Sequence, residues 1–254
     1  MINAFMQTRV SSTRLPNKVI KNLQGLPMFV QQARRIQQCK TIDKLIVITS
    51  TNKSDDILEF ICKENDLLCF RGDLHNVLSR YFHAQLAYPC EHIVRVTADC
   101  PVIDPTLMDH VINTHLINNN DYTSNCLKST FPDGLDTEII SKNTLLDAYE
   151  HAKKNSELEH VTPYIRNNPQ KYQLQNIQSD TDLSHHRWTV DEPVDFELIS
   201  AIYAHLYTEN HYFNYQDILN FLSTKPELSS INAHILRNEG MLKSLKQDKE
   251  EDDE

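Results

Sequence analysis

Residues 92–116, HIVRVTADCPVIDPTLMDHVINTHL, show the repeating unit of the fold most clearly. Residues 92–96 form a short, mostly apolar run that is typical of a buried strand. After a polar loop, apolar residues recur at the spacing of one helix face; they are Leu107, Met108, Val111, Ile112 and Leu116. The stretch therefore predicts a strand, a loop and a helix in direct succession.

The same unit recurs upstream of this stretch. Apolar runs predict strands at residues 2–6, 44–49 and 67–70. Amphipathic spacing predicts helices at residues 28–36, 55–63 and 74–86. Strands and helices thus alternate at least four times, a pattern that predicts a parallel-rich sheet with helices on both faces.

Downstream, the alternation is less regular. Strands are predicted at residues 136–141, 172–177 and 187–190, and helices at residues 144–153, 198–206 and 215–222. No internal repeat and no linker rich in Pro, Gly or Ser interrupts the chain, so one domain is predicted over residues 1–240. Residues 248–254 carry six acids and one lysine, so residues 241–254 are predicted to form an acidic, disordered tail.

The overall composition excludes several classes of protein. The chain has 254 residues, enough to bury a core, and no apolar run approaches the ~18 residues of a membrane helix. Its formal net charge is −10 and it has no basic stripe, so neither a membrane nor a nucleic acid is expected as a partner. It starts without the features of a signal peptide, and none of its six cysteines forms a C-x-x-C pair. We therefore expect reduced thiols and a cytoplasmic location.

The loop after the first strand, residues 7–18, concentrates groups that bind phosphate. Its sequence, QTRVSSTRLPNK, contains three cations and four hydroxyls. With backbone N–H groups, such side chains hold phosphates through charge-assisted hydrogen bonds. The loop is not a P-loop, because the G-x-x-x-x-G-K-[ST] pattern is absent. From composition alone, a solvated loop with scattered charges is an equal alternative.

Two further loops offer a carboxylate where a strand is predicted to end. Asp99 and Asp191 each follow such a strand, and ligands of open α/β sheets bind at this end of the strands. Mg²⁺ prefers one or two carboxylates together with phosphate oxygens and water, so both residues are candidate magnesium ligands. For Asp99, a turn residue is an equal alternative. Asp104, followed by proline, is predicted to cap a helix, and Asp195 to be a cap or a first-turn acid.

Seven stretches carry a resemblance to a known family. They are residues 7–18 (QTRVSSTRLPNK), 70–81 (FRGDLHNVLSRY), 95–104 (RVTADCPVID), 121–125 (DYTSN), 131–139 (FPDGLDTEI), 159–165 (EHVTPYI) and 187–195 (RWTVDEPVD). In this order they resemble the cytidylyltransferase family typified by spore-coat polysaccharide biosynthesis protein F. That family is similar to the synthetases that make CMP-activated acidic sugars.

The resemblance implies both a fold and an activity. The fold is a three-layer α/β/α sandwich with a mixed, mostly parallel sheet, the nucleotide-diphospho-sugar transferase fold. The activity is transfer of CMP from CTP to a sugar or sugar acid, with release of pyrophosphate, in the synthesis of surface polysaccharide or glycan precursors. Mg²⁺ is the implied cofactor, and a homodimer is the implied assembly.

The resemblance also implies roles for particular residues. Arg14 and Lys18 would stabilise the leaving pyrophosphate, and Asp99 and Asp191 would hold Mg²⁺. The nucleotide-binding residues would be Gln7, Arg9, Ser11, Ser12 and Arg71. The residues on the acceptor side would be Arg95, Asp136, Glu138, Glu159 and His160.

Two positions depart from the family pattern. Asn17 stands where the first loop usually has glycine, but asparagine tolerates left-handed backbone angles better than most residues. Leu158 stands where many relatives have arginine, which bears on the identity of the acceptor.

Two rival functions remain at this point. A glycosyltransferase that uses a nucleotide sugar commonly has a D-x-D metal motif at a strand end, whereas Asp180 and Asp182 lie in a polar loop. A non-catalytic nucleotide-binding protein would not need the full set of cations and aspartates.

Overall fold

The computed structural model of the protein describes residues 1–208 and 210–252. Its strands are β1 (Ile2–Gln7), β2 (Asn22–Leu23), β3 (Leu26–Pro27), β4 (Lys44–Ser50), β5 (Leu68–Gly72), β6 (His92–Thr97), β7 (Tyr122–Ser124), β8 (Glu138–Ser141) and β9 (Leu174–Asn176). Strands β2 and β3 form a small separate hairpin, and the other seven form one sheet in the order β5-β4-β1-β6-β8-β7-β9.

Helices connect most of these strands. They are α1 (Met28–Ile36), α2 (Asp56–Glu64), α3 (Val77–Ala87), α4 (Pro105–Asn118), α5 (Lys142–His151), α6 (Asn155–His160), α7 (Pro163–Arg166), α8 (Pro193–Leu206), α9 (Tyr215–Ser223), α10 (Pro226–Ser229) and α11 (Glu239–Asp252). Among the described residues, none of these helices is both long and apolar enough to span a membrane.

The main sheet is mixed and mostly parallel. Strands β5, β4, β1 and β6 run parallel to one another. Strand β8 runs antiparallel to both of its neighbours, β6 and β7, and β9 runs parallel to β7. The carboxyl ends of β1 and β6 therefore meet at one edge of the sheet, where Gln7 lies opposite Thr97.

Strand β1 shows how the sheet comes to lie between two layers of helices. Successive side chains of a strand point to opposite faces. Ala4 and Met6 belong to one apolar core, which includes residues of α1, α4 and α8. Phe5 belongs to a second core, which includes residues of α3, α5 and α7. The predicted three-layer α/β/α sandwich is confirmed.

The loop between β6 and α4 is fixed by a helix cap. The Asp104 carboxylate accepts hydrogen bonds from the backbone N–H groups of Thr106 (2.9 Å) and Leu107 (3.1 Å), and Pro105 is the first residue of α4. The predicted role of Asp104 is confirmed. Because the cap sets where α4 begins, it also sets where the loop that carries Asp99 ends.

Residues 187–190 are not a strand, contrary to the prediction. A single bridge pairs Arg187 with Asp133. The Asp133 N–H donates to the His186 carbonyl (2.9 Å), and the Trp188 N–H donates to the Asp133 carbonyl (2.6 Å). The backbone of this buried segment is thus hydrogen-bonded to a turn. The turn is too short to form the row of paired residues that defines a strand.

The C-terminal segment differs from the predicted disordered tail. Residues 241–252 belong to α11, and its residues Ser244 and Asp248 are buried, each 5% exposed. Asp248 Oδ1 accepts a hydrogen bond from the Ser156 N–H in α6 (3.1 Å). Contacts with the body of the protein therefore offset the repulsion among the terminal acids. Residues 253 and 254 of the predicted tail lie outside the described residues.

Candidate active site

A cavity of about 480 Å³ opens beside the carboxyl ends of β1 and β6. Much of its wall comes from the loops that follow these two strands. All the side chains predicted for the site line this cavity except Arg71. Those present are Gln7, Arg9, Ser11, Ser12, Arg14, Lys18, Arg95, Asp99, Asp136, Glu138, Glu159, His160 and Asp191.

The loop after β1 is held in shape by a buried acid and a left-handed residue. Asp55 accepts hydrogen bonds from the Val10 N–H (2.9 Å) and from the Ser50 hydroxyl. Asn17 has φ 58° and ψ 22°, the left-handed conformation that asparagine adopts more readily than most residues. The interpretation that asparagine can replace the usual glycine here is confirmed. The turn at Asn17 leads directly to Lys18.

Lys18 joins the two predicted metal ligands. Its ammonium donates to Asp99 Oδ2 (3.0 Å), to Asp191 Oδ1 (2.8 Å) and to the carbonyl of Val190 (2.8 Å). Asp99 and Asp191 are 92 positions apart in the sequence, yet one cation contacts both. The structure therefore brings together the two aspartates and the cationic loop, as the sequence predicted.

The contact between Lys18 and Asp99 helps to keep both side chains charged. Burial alone would lower the pKa of Lys18, but Asp99 and Asp191 outweigh it and raise this pKa above its ordinary value. Burial alone would raise the pKa of Asp99, but the Lys18 charge outweighs it and lowers this pKa to about 2. Lys18 and Asp99 thus form an ion pair at neutral pH.

Arg14 extends the cluster towards the mouth of the cavity. Its guanidinium lies 3.0 Å from Asp191 Oδ1, 3.7 Å from Glu192 Oε1 and 2.9 Å from Glu239 Oε2. The Arg14 side chain is 29% exposed, so solvent and ligands can reach it. A partly exposed guanidinium with several carboxylate partners can exchange them for phosphate oxygens.

A second arginine, Arg187, contacts the Asp191 carboxylate from its buried side. Arg187 donates to Asp195 (3.0 Å), to Asp133 (3.1 Å) and to Asp191 Oδ2 (3.0 Å), and its side chain is only 6% exposed. Asp195 also accepts from the N–H groups of Asp191 and Glu192, both at 2.9 Å. The prediction of Asp195 as a cap or first-turn acid of α8 is confirmed, but its pairing with Arg187 was not foreseen.

Two of the residues predicted for the acceptor side form an ion pair between β6 and β8. The register of these strands places Arg95 opposite Glu138, and their side chains form an ion pair. The Tyr122 hydroxyl also donates to Glu138 (2.6 Å). Burial alone would raise the pKa of Glu138, but the Arg95 charge outweighs it and lowers this pKa. Asp136 pairs with Arg237 at 2.5 Å.

Glu159 and His160 reach the cavity from the end of α6. The Ser244 hydroxyl of α11 lies 3.1 Å from Glu159 Oε2 and 3.0 Å from His160 Nε2. Arg9 lies 3.8 Å from Glu159 Oε1. The first loop, α6 and α11 therefore meet around this pair of side chains.

Polar atoms without partners point to a ligand in this cavity. Gln7 Oε1, Thr8 Oγ1 and Arg95 Nε are buried, and none makes a hydrogen bond within the described part of the chain. Such atoms are rare in native proteins and call for a bound partner. Since all three residues line the cavity, a polar ligand there would satisfy them.

Arg71 is the one predicted site residue that the structure does not bring to the cavity. Its guanidinium pairs with Asp56 (2.7 Å) and Glu59 (2.9 Å) and donates to the carbonyls of Ser50 and Asn52, both at 2.9 Å. These contacts turn the side chain towards α2, away from the nucleotide-binding position that was expected.

Three arginines outside the predicted set line the cavity: Arg187, described above, Arg80 and Arg166. Arg80, in the same quoted motif as Arg71, anchors its guanidinium on the Asp73 carbonyl (2.8 and 2.6 Å). Arg166 directly follows the motif of residues 159–165. Their position inside or beside a family motif is the signal that could have identified them.

The carboxylates present fit a magnesium ion. Asp99 and Asp191 already enclose one cation, the Lys18 ammonium. In the described residues, no group of three or more His, Cys, Asp or Glu side chains could hold a metal ion. Two carboxylates, with phosphate oxygens and water completing the shell, are a common ligand set for Mg²⁺ in nucleotide sites.

Comparisons with known proteins identify a family and a fold for this chain. The sequence model of a family described as cytidylyltransferase matches residues 4–225. The spore coat polysaccharide biosynthesis protein SpsF of Bacillus subtilis is 34% identical over 206 residues, which cover 78% of this chain and 85% of SpsF. The solved structure of a cytidylyltransferase from Leptospira borgpetersenii has a TM-score of 0.87 and 28% identity, and the match covers 93% of this chain and 99% of that one. A CMP:2-keto-3-deoxy-manno-octonic acid synthetase, solved in complex with CTP, has the same fold, with a TM-score of 0.61, 11% identity and coverage of 80% and 98%.

Proposed function

We propose that this chain, which belongs to the cytidylyltransferase family, transfers CMP from CTP to a hydroxyl group of a sugar or sugar acid and releases pyrophosphate. The observation that carries the proposal is the contact of Lys18 with both Asp99 and Asp191, beside the cationic loop after β1. A triphosphate needs this combination of exposed cations and carboxylates that can hold a divalent ion.

The nucleotide would lie along the loop after β1. Arg14 and Lys18 are the cations placed to neutralise the charge that develops on the departing pyrophosphate, and the hydroxyls of Ser11 and Ser12 can donate to phosphate oxygens. The free, buried Gln7 Oε1 can accept a hydrogen bond from the amino group of cytosine. These contacts hold the α-phosphorus in position for in-line attack, which is the main task of the protein in such reactions.

Asp99 and Asp191 would hold Mg²⁺, which supplies neutralisation of the phosphate charge when it is bound. Arg187 fixes the Asp191 carboxylate from the buried side through its 3.0 Å contact. The acceptor would lie between the Arg95–Glu138 pair, Asp136 and the end of α6. The relatives support this class of acceptor, since SpsF is named for polysaccharide synthesis and the synthetase with the same fold for a sugar acid.

The proposal includes two features of the protein in the cell. A CTP-dependent activity suits a cytoplasmic location, which is part of the proposal, and there the protein would supply activated precursors for surface polysaccharide. We also propose that it is a homodimer, and sedimentation equilibrium of the full chain tests this directly.

The activity is tested by release of pyrophosphate. The purified chain is supplied with Mg²⁺, with each of the four ribonucleoside triphosphates in turn, and with a panel of neutral sugars and sugar acids. We expect pyrophosphate only with CTP and one class of acceptor, together with a CMP-linked product seen by mass spectrometry. Turnover of a nucleotide sugar without pyrophosphate would instead indicate a glycosyltransferase, and binding of CTP without any product would indicate a non-catalytic protein.

A further inference from the structure

Helix α11 belongs to the cavity although it lies beyond the part of the chain that matches the family. The family match ends at residue 225, and α11 starts at Glu239. Its residues Glu239, Met241 and Lys243 line the cavity together with the loop after β1. The C-terminal segment thus adds a wall to a site whose remaining walls come from the family domain.

The closest contact of α11 with the nucleotide side is the ion pair of Glu239 with Arg14. Glu239 Oε2 lies 2.9 Å from Arg14 Nη1, and the two side chains are 32% and 29% exposed. A carboxylate at this distance uses the same guanidinium donors that a phosphate oxygen would use. One Arg14 donor group cannot be fully bonded to Glu239 and to the nucleotide at the same time.

The helix is also fastened to the acceptor side. Ser244 bonds with Glu159 and His160, and the buried Asp248 accepts from the Ser156 N–H. The helix therefore spans both halves of the proposed active site. A triphosphate entering the cavity would bring several negative charges close to the Glu239 carboxylate, and like charges at short range repel each other.

We propose that α11 is a self-inhibitory lid: Glu239 occupies Arg14 in the free protein, and the triphosphate of the nucleotide displaces it. This inference rests on the proposed function, since it requires that Arg14 binds the nucleotide phosphates. The lid lowers the apparent affinity for nucleotide, because part of the binding energy is used to break the Arg14–Glu239 pair and to move the helix.

The first test removes the competing charge. Glu239→Gln keeps the size of the side chain and lowers its attraction for Arg14, so CTP should bind about two- to fivefold more tightly, the range of a partly exposed ion pair. Isothermal titration of the full chain with CTP and Mg²⁺ measures this. Glu250→Gln is the matched control, because Glu250 is on the same helix and pairs with Lys246, at 3.9 Å; the affinity of this variant for CTP should equal that of the wild type.

The second test follows the helix itself. Hydrogen exchange of the backbone amides of residues 240–248 should become faster when CTP and Mg²⁺ are added to the wild-type protein. Ser244→Ala, which releases the other attachment of α11, should show faster exchange of these amides before CTP is added and should also bind CTP more tightly.

The outcomes separate the lid from the function on which it rests. If the wild type binds none of the four nucleotides, the proposed function and the lid are both wrong. If it binds CTP, but Glu239→Gln binds no more tightly than the wild type and α11 exchanges no faster in the complex, only the lid is wrong.

Discussion

Two clusters of charged side chains share Asp191, and they differ in how far they are exposed to solvent. In the first, Arg187 is almost completely buried among Asp133, Asp195 and Asp191. In the second, Lys18 and Arg14 contact Asp99 and Asp191 at the wall of an open cavity. The groups are chemically alike, and Arg187 and Asp133 also border this cavity. The second cluster is more open to a ligand, because Arg14 is 29% and Asp99 26% exposed, whereas Arg187 is 6% exposed.

This difference assigns the two clusters different tasks. The buried cluster also binds Asn232, whose side chain donates to Asp195 (2.8 Å) and to the Arg187 carbonyl (2.9 Å), so its hydrogen bonds are satisfied within the protein. It stabilises the fold and fixes one oxygen of Asp191. The open cluster leaves the other oxygen of Asp191 facing the cavity and is the part that would contact the nucleotide.

The largest expected effect comes from breaking the buried cluster. Asp195→Ala leaves the Arg187 charge without its main partner in a buried position, which typically costs about 3–5 kcal/mol of stability. Chemical denaturation followed by circular dichroism measures the free energy of unfolding. A loss below about 1 kcal/mol would contradict the structural task of this cluster.

The Asp195 carboxylate should also make the free energy of unfolding depend on pH. Burial alone would raise the pKa of Asp195, but hydrogen bonds from Arg187 and from the N–H groups of Asp191 and Glu192 outweigh it and lower this pKa. A lowered pKa stabilises the folded state above the unfolded pKa of about 4 and loses this contribution as the pH falls through the folded pKa. The difference in unfolding free energy between wild type and Asp195→Ala should therefore shrink below about pH 4. A constant difference from pH 7 down to pH 2 would contradict the lowered pKa.

The next effect comes from the open cluster and falls on catalysis. Asp99→Asn removes one of the two carboxylates around Lys18 and should cost about 2–4 kcal/mol of transition-state stabilisation, by analogy with the loss of other electrostatic stabilisers. Steady-state pyrophosphate release at saturating Mg²⁺ measures kcat and kcat/KM. Asp56→Asn is a suitable control, since Asp56 is an exposed partner of Arg71 outside the cavity. Unchanged turnover of Asp99→Asn would refute the metal assignment.

A glycine beside the buried cluster should give a smaller effect on stability. Gly134 has φ +108°, and an added Cβ would lie 2.6 Å from both Thr189 N and the Trp188 carbonyl carbon. Gly134→Ala should therefore cost about 1–3 kcal/mol through backbone strain and displacement of the segment that carries Asp191.

Gly25→Ala separates these two causes. Gly25 has φ +85°, but an added Cβ there would meet nothing within 4 Å, so this variant reports the backbone strain alone. Thermal unfolding of both variants gives the comparison. Equal losses at the two positions would show that the close approach at Gly134 contributes nothing.

The smallest effect is expected at Arg71. Its partners Asp56 and Glu59 are largely exposed, and exposed ion pairs contribute about 0–1 kcal/mol. Arg71→Ala should keep the KM for CTP within about twofold of the wild type. The free energy of unfolding should change by no more than about 1 kcal/mol. A large rise in the KM for CTP would show that Arg71 does contribute to nucleotide binding.

The sequence predicts the first half of the fold better than the second for a physical reason. Strands β1, β4, β5 and β6 are apolar runs joined by amphipathic helices, so their pattern is local. Strand β7 has only three residues, too few for a periodic signal. Residues 187–190 are all buried, as in a strand of a sheet, but their partner is a turn rather than a strand.

Part of the site could also be predicted, because loops at neighbouring strand ends must meet. The meeting of Lys18 and Asp99 follows from this rule, since their loops follow β1 and β6, whereas Asp191 follows a segment that is not a strand. The family resemblance is confirmed. The direction of the Arg71 side chain could not be predicted, since it depends on acids in α2. The pairing of Arg14 with Glu239 joins residues 225 positions apart, for which a single sequence carries no signal.

The central position of β1 also determines when the chain can acquire its structure. This first strand pairs with β4 on one side and β6 on the other, and Lys18 finds its two carboxylates 81 and 173 residues further along. Closing such large loops costs conformational entropy before the contacts that compensate for it can form, and this slows folding. During synthesis, Lys18 can therefore complete its contacts only after Asp191 has left the ribosome.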